Sequence, residues 1–221
     1  MATNKSNEFI SLWERLADRI GLNRLFLRQG ETRLDERDEI LISPIDGKVQ
    51  HIAPIGTDGV IQEKSLFGKP RFVCLKDHLC DSPHMKAFLG GHYINLYLAP
   101  WNLHYILFPA AGKVVETRYL PGACYPLVFC RMGDVKNEKL FAIVETRWGF
   151  PIAMVLVGSF AVCGIHLDAK QGKDYEKGHR LGCFKLGSTV VMAFPPGKVE
   201  TLVEERQRIR LGDPLARLLC S

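Results

Sequence analysis

The stretch Pro44-Ile45-Asp46-Gly47-Lys48-Val49 recurs further along the chain as Pro109-Ala110-Ala111-Gly112-Lys113-Val114. Each copy follows an apolar run and leads into another, as a Pro-x-x-Gly turn does when it enters a β-strand. A weaker echo is present at Pro196-Gly197-Lys198-Val199. Because the same turn enters a strand twice, the sequence predicts two related half-barrel or sandwich units.

Short apolar or alternating runs, separated by Gly and Pro, continue outward from these turns. Such runs are typical of strands, and they occupy residues 40–43, 48–52, 59–62, 92–98, 113–119, 139–146, 152–157, 161–166, 189–194 and 199–203. A short helix is expected within residues 76–89. The predicted fold class is therefore mainly β, of the α+β kind, with a duplicated half-barrel or sandwich β domain over residues 31–221.

Residues 1–30 are predicted to form an N-terminal amphipathic helical segment that precedes this domain. Its apolar residues recur at helical spacing, so that Phe9, Trp13, Leu16 and Ile20 share one face. Such a helix either packs on the core or lies on a membrane with this face towards the lipid. The sequence leaves both interpretations open.

The composition is that of an ordinary globular protein, with 221 residues, 47% of them hydrophobic, and a formal net charge of +5. The Lys and Arg residues are spread along the chain, so no nucleic-acid partner is expected. The seven Cys include no Cys-x-x-Cys pair, which argues against a zinc site and a disulfide framework. With no signal peptide and no apolar run near the ~20 residues of a membrane span, a reducing compartment is expected.

The most reactive pattern in the chain is the stretch Phe184-Lys185-Leu186-Gly187-Ser188-Thr189-Val190-Val191. As plain structure, a Gly-Ser-Thr step between two apolar runs is a turn that feeds a strand. As chemistry, the hydroxyl of Ser188 can attack the carbonyl of Gly187 if the turn strains that peptide and a base takes the proton. Gly187 has no side chain, which leaves its carbonyl unshielded.

Three residues are candidates for the base or acid that such chemistry needs. Asp46 lies in the first copy of the repeated turn, and Ala111 takes its place in the second, so the turn itself does not require a carboxylate. His104 follows an aromatic and apolar run, which would partly bury an imidazole that titrates near neutral pH. His92 opens a predicted strand and is an alternative base. Each also has a plain structural interpretation, as an Asx-turn residue or a hydrogen-bonded histidine.

Three motifs occur in one order over most of the chain: Ser43-Pro44-Ile45-Asp46-Gly47-Lys48-Val49, Tyr97-Leu98-Ala99-Pro100-Trp101-Asn102-Leu103-His104 and Phe184-Lys185-Leu186-Gly187-Ser188-Thr189-Val190. In these motifs and their order the chain resembles the phosphatidylserine decarboxylase family. The stretch Leu25-Phe26-Leu27-Arg28 is also similar to the aromatic-Arg segment that precedes the family's catalytic domain. Each string is weak alone, and together they are specific.

The resemblance implies a proenzyme that cuts itself between Gly187 and Ser188 into segments 1–187 and 188–221. Ser188 then becomes a pyruvoyl group, the cofactor that takes up the electrons left behind when carbon dioxide departs. The resemblance gives catalytic roles to Ser188, Asp46 and His104, and His104 matches the family histidine credited with substrate handling and protonation. No metal is expected.

Leu107 departs from the family pattern. Many family members carry a second His at this position, which completes an Asp-His-Ser set for self-cleavage. Leucine cannot move a proton, although a shorter branch of the family also has a single His in this motif. The base that activates Ser188 is therefore open between Asp46, His104 and His92.

The implied function is decarboxylation of phosphatidylserine to phosphatidylethanolamine and carbon dioxide. One alternative is the same chemistry on another serine-headed lipid, and a second is an uncleaved, catalytically silent homologue that binds lipid or a partner. A carrier-type β domain is disfavoured because neither turn holds an attachment lysine. The expected partners are phosphatidylserine, a membrane surface and, as one option, a second copy of the chain in a homodimer. The expected location is peripheral, on the cytoplasmic face of a membrane.

Overall fold

A computed structural model of the chain describes residues 33–64, 70–99, 101–123, 125, 133–159, 165–184 and 188–219. The predicted N-terminal helical segment, with Phe9, Trp13, Leu16 and Ile20, lies outside the described residues. Its helix and its membrane-facing side chains therefore stay predictions.

Strands make up most of the described part of the chain. They are β1 (Ile40–Ile42), β2 (Gly47–Pro54), β3 (Val60–Lys64), β4 (Pro70–Cys74), β5 (His92–Leu98), β6 (Tyr105–Leu107), β7 (Gly112–Leu120), β8 (Lys139–Thr146), β9 (Pro151–Val157), β10 (Ile165–Leu167), β11 (Asp174–Tyr175), β12 (Arg180–Phe184), β13 (Ser188–Phe194), β14 (Val199–Thr201), β15 (Arg208–Ile209) and β16 (Pro214–Leu218). The described helices are short, with α-helices at Leu75–Leu79 and Gly133–Lys136 and a 3-10 helix at Met85–Phe88. The predicted mainly β fold class is confirmed.

A central antiparallel sheet of eight strands, in the order β11-β7-β8-β9-β13-β5-β2-β15, organises the domain. Two three-stranded sheets, β1-β16-β14 and β10-β12-β6, and the hairpin β3-β4 complete the described strands. Alternation along the central strands sends side chains to opposite faces. Ile94, Leu96 and Leu98 of β5 are buried in a core shared with both small sheets, while Tyr93 of the same strand is buried under the hairpin and the Leu75–Leu79 helix. The central sheet is therefore covered on both faces.

The central sheet is built from two copies of one strand arrangement. From one edge of the sheet inward the strands are β15, β2, β5 and β13, and from the other edge inward they are β11, β7, β8 and β9. Each strand of the first series corresponds to the strand at the same place in the second. The register of β2 on β5 shifts between Val49 and His51, and that of β7 on β8 shifts between Val114 and Glu116. Val49 and Val114 end the two copies of the repeated turn, so the strand register shifts at the same place in both halves, as it does at a β-bulge.

Two glycines show why the turn repeats. A Cβ atom on Gly47 would lie 2.3 Å from the carbonyl oxygen of Tyr97, and one on Gly112 would lie 2.4 Å from that of Glu145. Because side-chain atoms cannot approach a backbone oxygen so closely, each turn needs glycine to reach the neighbouring strand. The predicted internal repeat is thus a structural duplication, in which Tyr97 and Glu145 occupy equivalent positions.

Candidate active site

Ser188 is the first residue of β13, and its backbone pairs with Leu98, the last residue of β5. On the other side of β5, Lys48 near the start of β2 pairs with Tyr97. Because both neighbours run antiparallel to β5, the starts of β2 and β13 meet at the same end of the central sheet. The structure therefore places the turn that carries Asp46 and the predicted cleavage site at one end of three adjacent strands.

Asp46 immediately precedes β2 at this end. Its Oδ2 atom accepts a hydrogen bond from Nδ2 of Asn102 at 3.1 Å and a second from the backbone N–H of Leu103 at 3.0 Å. Strands lie about 4.8 Å apart in a sheet, so the starts of β2 and β13 are separated by roughly 10 Å. Asp46 is thus held by the loop that follows β5 and lies two strands away from Ser188.

The loop from Ala99 to His104 is fixed by Asn102. The Oδ1 atom of Asn102 accepts a hydrogen bond from the backbone N–H of Ala99 at 2.9 Å. The carbonyl oxygen of Asn102 lies 2.8 Å from Nδ1 of His104. A carbonyl oxygen can only accept, so Nδ1 carries the proton and Nε2 is the basic nitrogen of the neutral ring. One residue therefore orients both Asp46 and His104.

His104 is fully buried, and its backbone also reaches the chain that leads to Ser188. The carbonyl oxygen of His104 accepts a hydrogen bond from the N–H of Phe184 at 3.0 Å. Phe184 ends β12, and only residues 185–187 separate it from the start of β13. This hydrogen bond therefore connects the loop that ends at His104 with the end of β12, four residues before Ser188.

His92 is not brought to this end of the sheet. It begins β5 and pairs with Phe194, the last residue of β13, and with Pro54, the last residue of β2. Six residue steps along an extended strand separate His92 from Leu98, a length of about 20 Å. A base must approach to hydrogen-bond distance or act through one water, so the alternative assignment of His92 as the base for Ser188 does not fit this structure.

Leu107 is a buried residue of β6. It is 7% exposed, and its N–H donates to the carbonyl oxygen of Pro44 at 2.9 Å. Its neighbours Ile106 and Phe108 belong to the main core. Leu107 therefore extends an apolar strand beside the turn that carries Asp46.

Asn102 is the site residue that sequence reasoning missed. It stands inside the Pro-Trp-Asn-Leu-His run that carries part of the family resemblance, but nothing in the run assigns its amide a role. Its two contacts to candidate catalytic residues appear only when the turn of Asp46 and the loop after β5 are brought together in space.

The equivalent end of the other half lacks these groups. Tyr97 and Glu145 are equivalent in the two halves, and they pair with Thr189 and Pro151, respectively. The residues just before these partners, Ser188 and Phe150, are therefore equivalent too. There β8 and β9 are joined directly by a turn, with the N–H of Thr146 donating to the carbonyl oxygen of Phe150 at 3.0 Å. Ala111 stands where Asp46 stands in the first half. The duplicated fold forms without these groups, so it does not explain why they occur at the Ser188 end.

No group of three or more His, Cys, Asp and Glu side chains within the described ranges is placed to hold a metal ion. The chemical groups assembled at this end are a carboxylate, a buried imidazole of defined tautomer and a serine at the start of a strand. Such a set can move protons and supply a nucleophile.

Comparison with known proteins decides the family. The family model described as "Phosphatidylserine decarboxylase" matches residues 23–217, a range that contains all three motifs of the site. The chain belongs to the phosphatidylserine decarboxylase family. The enzymes of this family are carboxy-lyases.

Several relatives are named "Phosphatidylserine decarboxylase proenzyme". The protein of Anaeromyxobacter sp. (strain K) is 32% identical over 215 residues, which cover 86% of this chain and 74% of the relative. The protein of Shewanella baltica (strain OS155) is 33% identical over 221 aligned residues, covering 87% and 74%. That of Saccharophagus degradans is 30% identical over 204 residues, covering 80% and 69%. The similarity thus extends over most of both chains.

Proposed function

We propose that this chain is a pyruvoyl-dependent phosphatidylserine decarboxylase, which forms phosphatidylethanolamine and carbon dioxide after cleaving itself between Gly187 and Ser188. The observation that carries the proposal is the meeting of Asp46, His104 and the start of β13 at one end of the sheet, in a chain of this family. The proenzyme names of the relatives support the self-cleavage step.

In the proposed cleavage, the hydroxyl oxygen of Ser188 attacks the carbonyl carbon of Gly187, the C–N bond between the two residues breaks, and an ester forms while the freed nitrogen of Ser188 takes up a proton. β-Elimination then releases the carboxylate of Gly187, and hydrolysis of the resulting dehydroalanine releases ammonia and leaves a pyruvoyl group at residue 188. Asp46 is the proposed base, because its carboxylate is held at the same end of the sheet and the position of the family's second His is taken by Leu107. The strand spacing sets the starts of β2 and β13 roughly 10 Å apart, so in the reacting state the two side chains must approach to hydrogen-bond distance, or share one water, before the proton of the hydroxyl passes to this carboxylate.

The position of the proposed cut fits the fold. β12 ends at Phe184 and β13 starts at Ser188, so cleavage falls between two strands. β13 is paired with β5 on one side and with β9 on the other. These pairings would hold segment 188–221 in place after the backbone is broken, and they would keep residue 188 at the same end of the sheet as Asp46.

The pyruvoyl group derived from Ser188 would supply an electrophilic carbonyl that binds the substrate amine and accepts the electrons released with carbon dioxide. His104 is proposed to return a proton to the α-carbon of the substrate. Its Nδ1–H is fixed on the carbonyl of Asn102, so Nε2 is the nitrogen that gains and gives the proton. Burial of His104 excludes bulk water from that exchange.

A diacyl substrate requires access to a bilayer, so a peripheral position on the cytoplasmic face of a membrane is part of the proposal. The described part of the chain holds no helix that is both long and apolar enough to cross a bilayer. The predicted amphipathic segment, residues 1–30, would contribute to peripheral attachment.

A second candidate function is that of an uncleaved homologue that binds lipid or a partner without catalysis. Leu107 favours it, because a buried leucine stands where many family members have a second His. Mass spectrometry of the purified full chain separates the two. Self-cleavage gives segments 1–187 and 188–221, the latter blocked by pyruvoyl and resistant to Edman degradation. Ser188→Ala is the control and should stay intact. A homogeneous intact wild-type chain after long incubation would contradict the enzyme.

A further inference from the structure

Two cations face each other at the edge of the central sheet next to the site. Lys48 of β2 and Arg208 of β15 are directly opposite in the strand register, and both are exposed. Arg210, two residues further along, is also exposed. Like charges directly opposite on neighbouring strands are destabilising, and within the described residues none of the three side chains forms an ion pair. We call Lys48, Arg208 and Arg210 the basic strip.

The other half of the duplication shows that the fold does not require this charge pattern. At the equivalent edge, Lys113 of β7 is opposite Asp174 of β11, which is a favourable pair of opposite charges. Glu176 stands where the strip has Arg210, two residues beyond the paired position. A charged edge strand protects a sheet from edge-to-edge aggregation with either pattern. Neither the fold nor protection of the edge therefore explains three cations at the Ser188 end, whereas binding of an anionic partner would.

The basic strip and an exposed tryptophan are each close in sequence to a residue of the site. Lys48 is two residues from Asp46, and Asp46 is bound by the side chain of Asn102. Trp101, the neighbour of Asn102 in the same loop, is 73% exposed. Tryptophan side chains favour the boundary between water and lipid. The basic strip and the exposed indole thus belong to two chain segments that meet at Asp46.

The chain enters the domain at the same corner. The N–H of Asp35 donates to the carbonyl oxygen of Gly212 at 3.2 Å, and a Cβ on Gly212 would lie 2.7 Å from the carbonyl oxygen of Arg33. Gly212 is two residues beyond Arg210 of the basic strip. The segment ahead of Arg33, with its predicted amphipathic helix, therefore joins the domain beside the strip.

We infer that the basic strip and Trp101 form the face that docks on an anionic bilayer surface, with the Ser188 end of the sheet turned towards the lipid. The inference rests on the proposed function and adds the orientation of the domain. Anionic headgroups would supply counter-charges to the strip, and Trp101 would insert at the boundary. Each Lys or Arg near an anionic membrane strengthens binding by roughly fivefold.

The test uses the full chain and vesicles of phosphatidylcholine with or without phosphatidylserine. Arg208→Asp copies the charge pair of the other half, so the thermal unfolding temperature should be unchanged or higher. Binding to the phosphatidylserine vesicles should weaken about tenfold or more, because one cation is lost and one anion added. The wild-type affinity should fall as salt screens the strip. Arg210→Glu, which copies Glu176, provides a second variant with the same expected loss.

The matched control is Asp174→Arg, alone and combined with Arg208→Asp. The double variant has the net charge of the wild type, but its two like charges now face each other at the β7–β11 edge, where Lys113 is opposite position 174. It should bind phosphatidylserine vesicles as weakly as Arg208→Asp does. Wild-type binding by the double variant would show that net charge alone governs attachment, and this would overturn the inference. Wild-type binding by both Arg208→Asp and Arg210→Glu would overturn it as well.

Failure of the proposed function gives a different result. Carbon dioxide release from detergent-dispersed phosphatidylserine by the wild-type chain tests the chemistry without a bilayer. If the wild type releases none, the proposed function is wrong whatever the vesicles show. If it releases carbon dioxide and the strip variants bind vesicles normally, the chemistry holds and the docking face is wrong.

Discussion

Nδ2 of Asn102 lies 3.1 Å from Oδ2 of Asp46. The carbonyl oxygen of the same asparagine accepts a hydrogen bond from Nδ1 of His104. Asn102 therefore connects the carboxylate proposed for self-cleavage with the imidazole proposed for decarboxylation. Its side chain acts on the carboxylate, and its backbone acts on the imidazole. Side-chain substitutions at this position should therefore disturb self-cleavage more than they disturb the orientation of His104.

The first prediction concerns Asn102→Ala. The variant removes one of the two hydrogen bonds that hold the carboxylate of Asp46, and a hydrogen bond to a charged group is worth about 1.5–3 kcal/mol. Self-cleavage should slow by roughly 10- to 100-fold, measured as the disappearance of the intact chain on a gel. Asn102→Asp serves as the contrast, because two adjacent carboxylates repel and the pH profile of cleavage should move to higher pH. An unchanged rate and profile in both variants would exclude Asn102 as a positioning residue.

The second prediction concerns Asp46→Asn. The amide keeps an oxygen that can accept from the N–H of Leu103 but cannot take a proton, so the loop should hold while the base is lost. We expect self-cleavage to be blocked or slowed by at least about 10²-fold, the usual scale for a general base. The unfolding temperature should stay close to that of the wild type. Cleavage at the wild-type rate would remove Asp46 from the mechanism.

A third prediction separates the two reactions at His104. His104→Ala should still cleave at least in part, because Asp46 is the proposed base for Ser188. Carbon dioxide release from labelled phosphatidylserine by the cleaved material should fall by roughly 10²-fold or more, since the proton donor is missing. The comparison must be made per mole of cleaved chain. Complete loss of cleavage in this variant would identify His104 as the base for self-cleavage, so that self-cleavage and decarboxylation would both depend on it.

The strands with strong apolar or alternating patterns were predictable from the sequence. His92–Leu98 and Lys139–Thr146 are observed with the predicted bounds. Strands that depend on a partner were missed. β15 has only two residues, Arg208 and Ile209, and is a strand because it pairs with β2. β16 starts with Pro214 and lies between β1 and β14. A local pattern does not reveal such pairings, because contacts distant in sequence create them.

The site shows the same division. The repeated turn indicates Asp46, because comparing its two copies in the sequence shows Ala111 at the equivalent position. The turn itself therefore does not require a carboxylate. The sequence makes His92 a candidate because it opens the predicted strand 92–98, which leads towards the loop of His104. The antiparallel register of β5 and β13 places it beside Phe194 instead. Strand register is a property of the paired chains, so neither the exclusion of His92 nor the role of Asn102 could be read from one sequence.

The last prediction uses the duplication as its own control. Gly47→Ala and Gly112→Ala each push a methyl group against a carbonyl oxygen, at 2.3 and 2.4 Å in the unrelaxed geometry. Overpacking of this kind costs about 1–3 kcal/mol. The two variants should therefore lose similar stability, measured by urea unfolding in a Ser188→Ala background so that every chain is intact.

Cleavage should distinguish the two glycine variants. Gly47 follows Asp46 directly, whereas Gly112 follows Ala111 at the end that lacks the site. A displacement of about 1 Å in a reacting group can cost roughly 10²-fold in rate. Below the unfolding temperature of both variants, Gly47→Ala should cleave at least tenfold more slowly than Gly112→Ala, which should remain close to the wild-type rate. Equal slowing in both would mean that cleavage responds to overall stability and not to the local placement of Asp46.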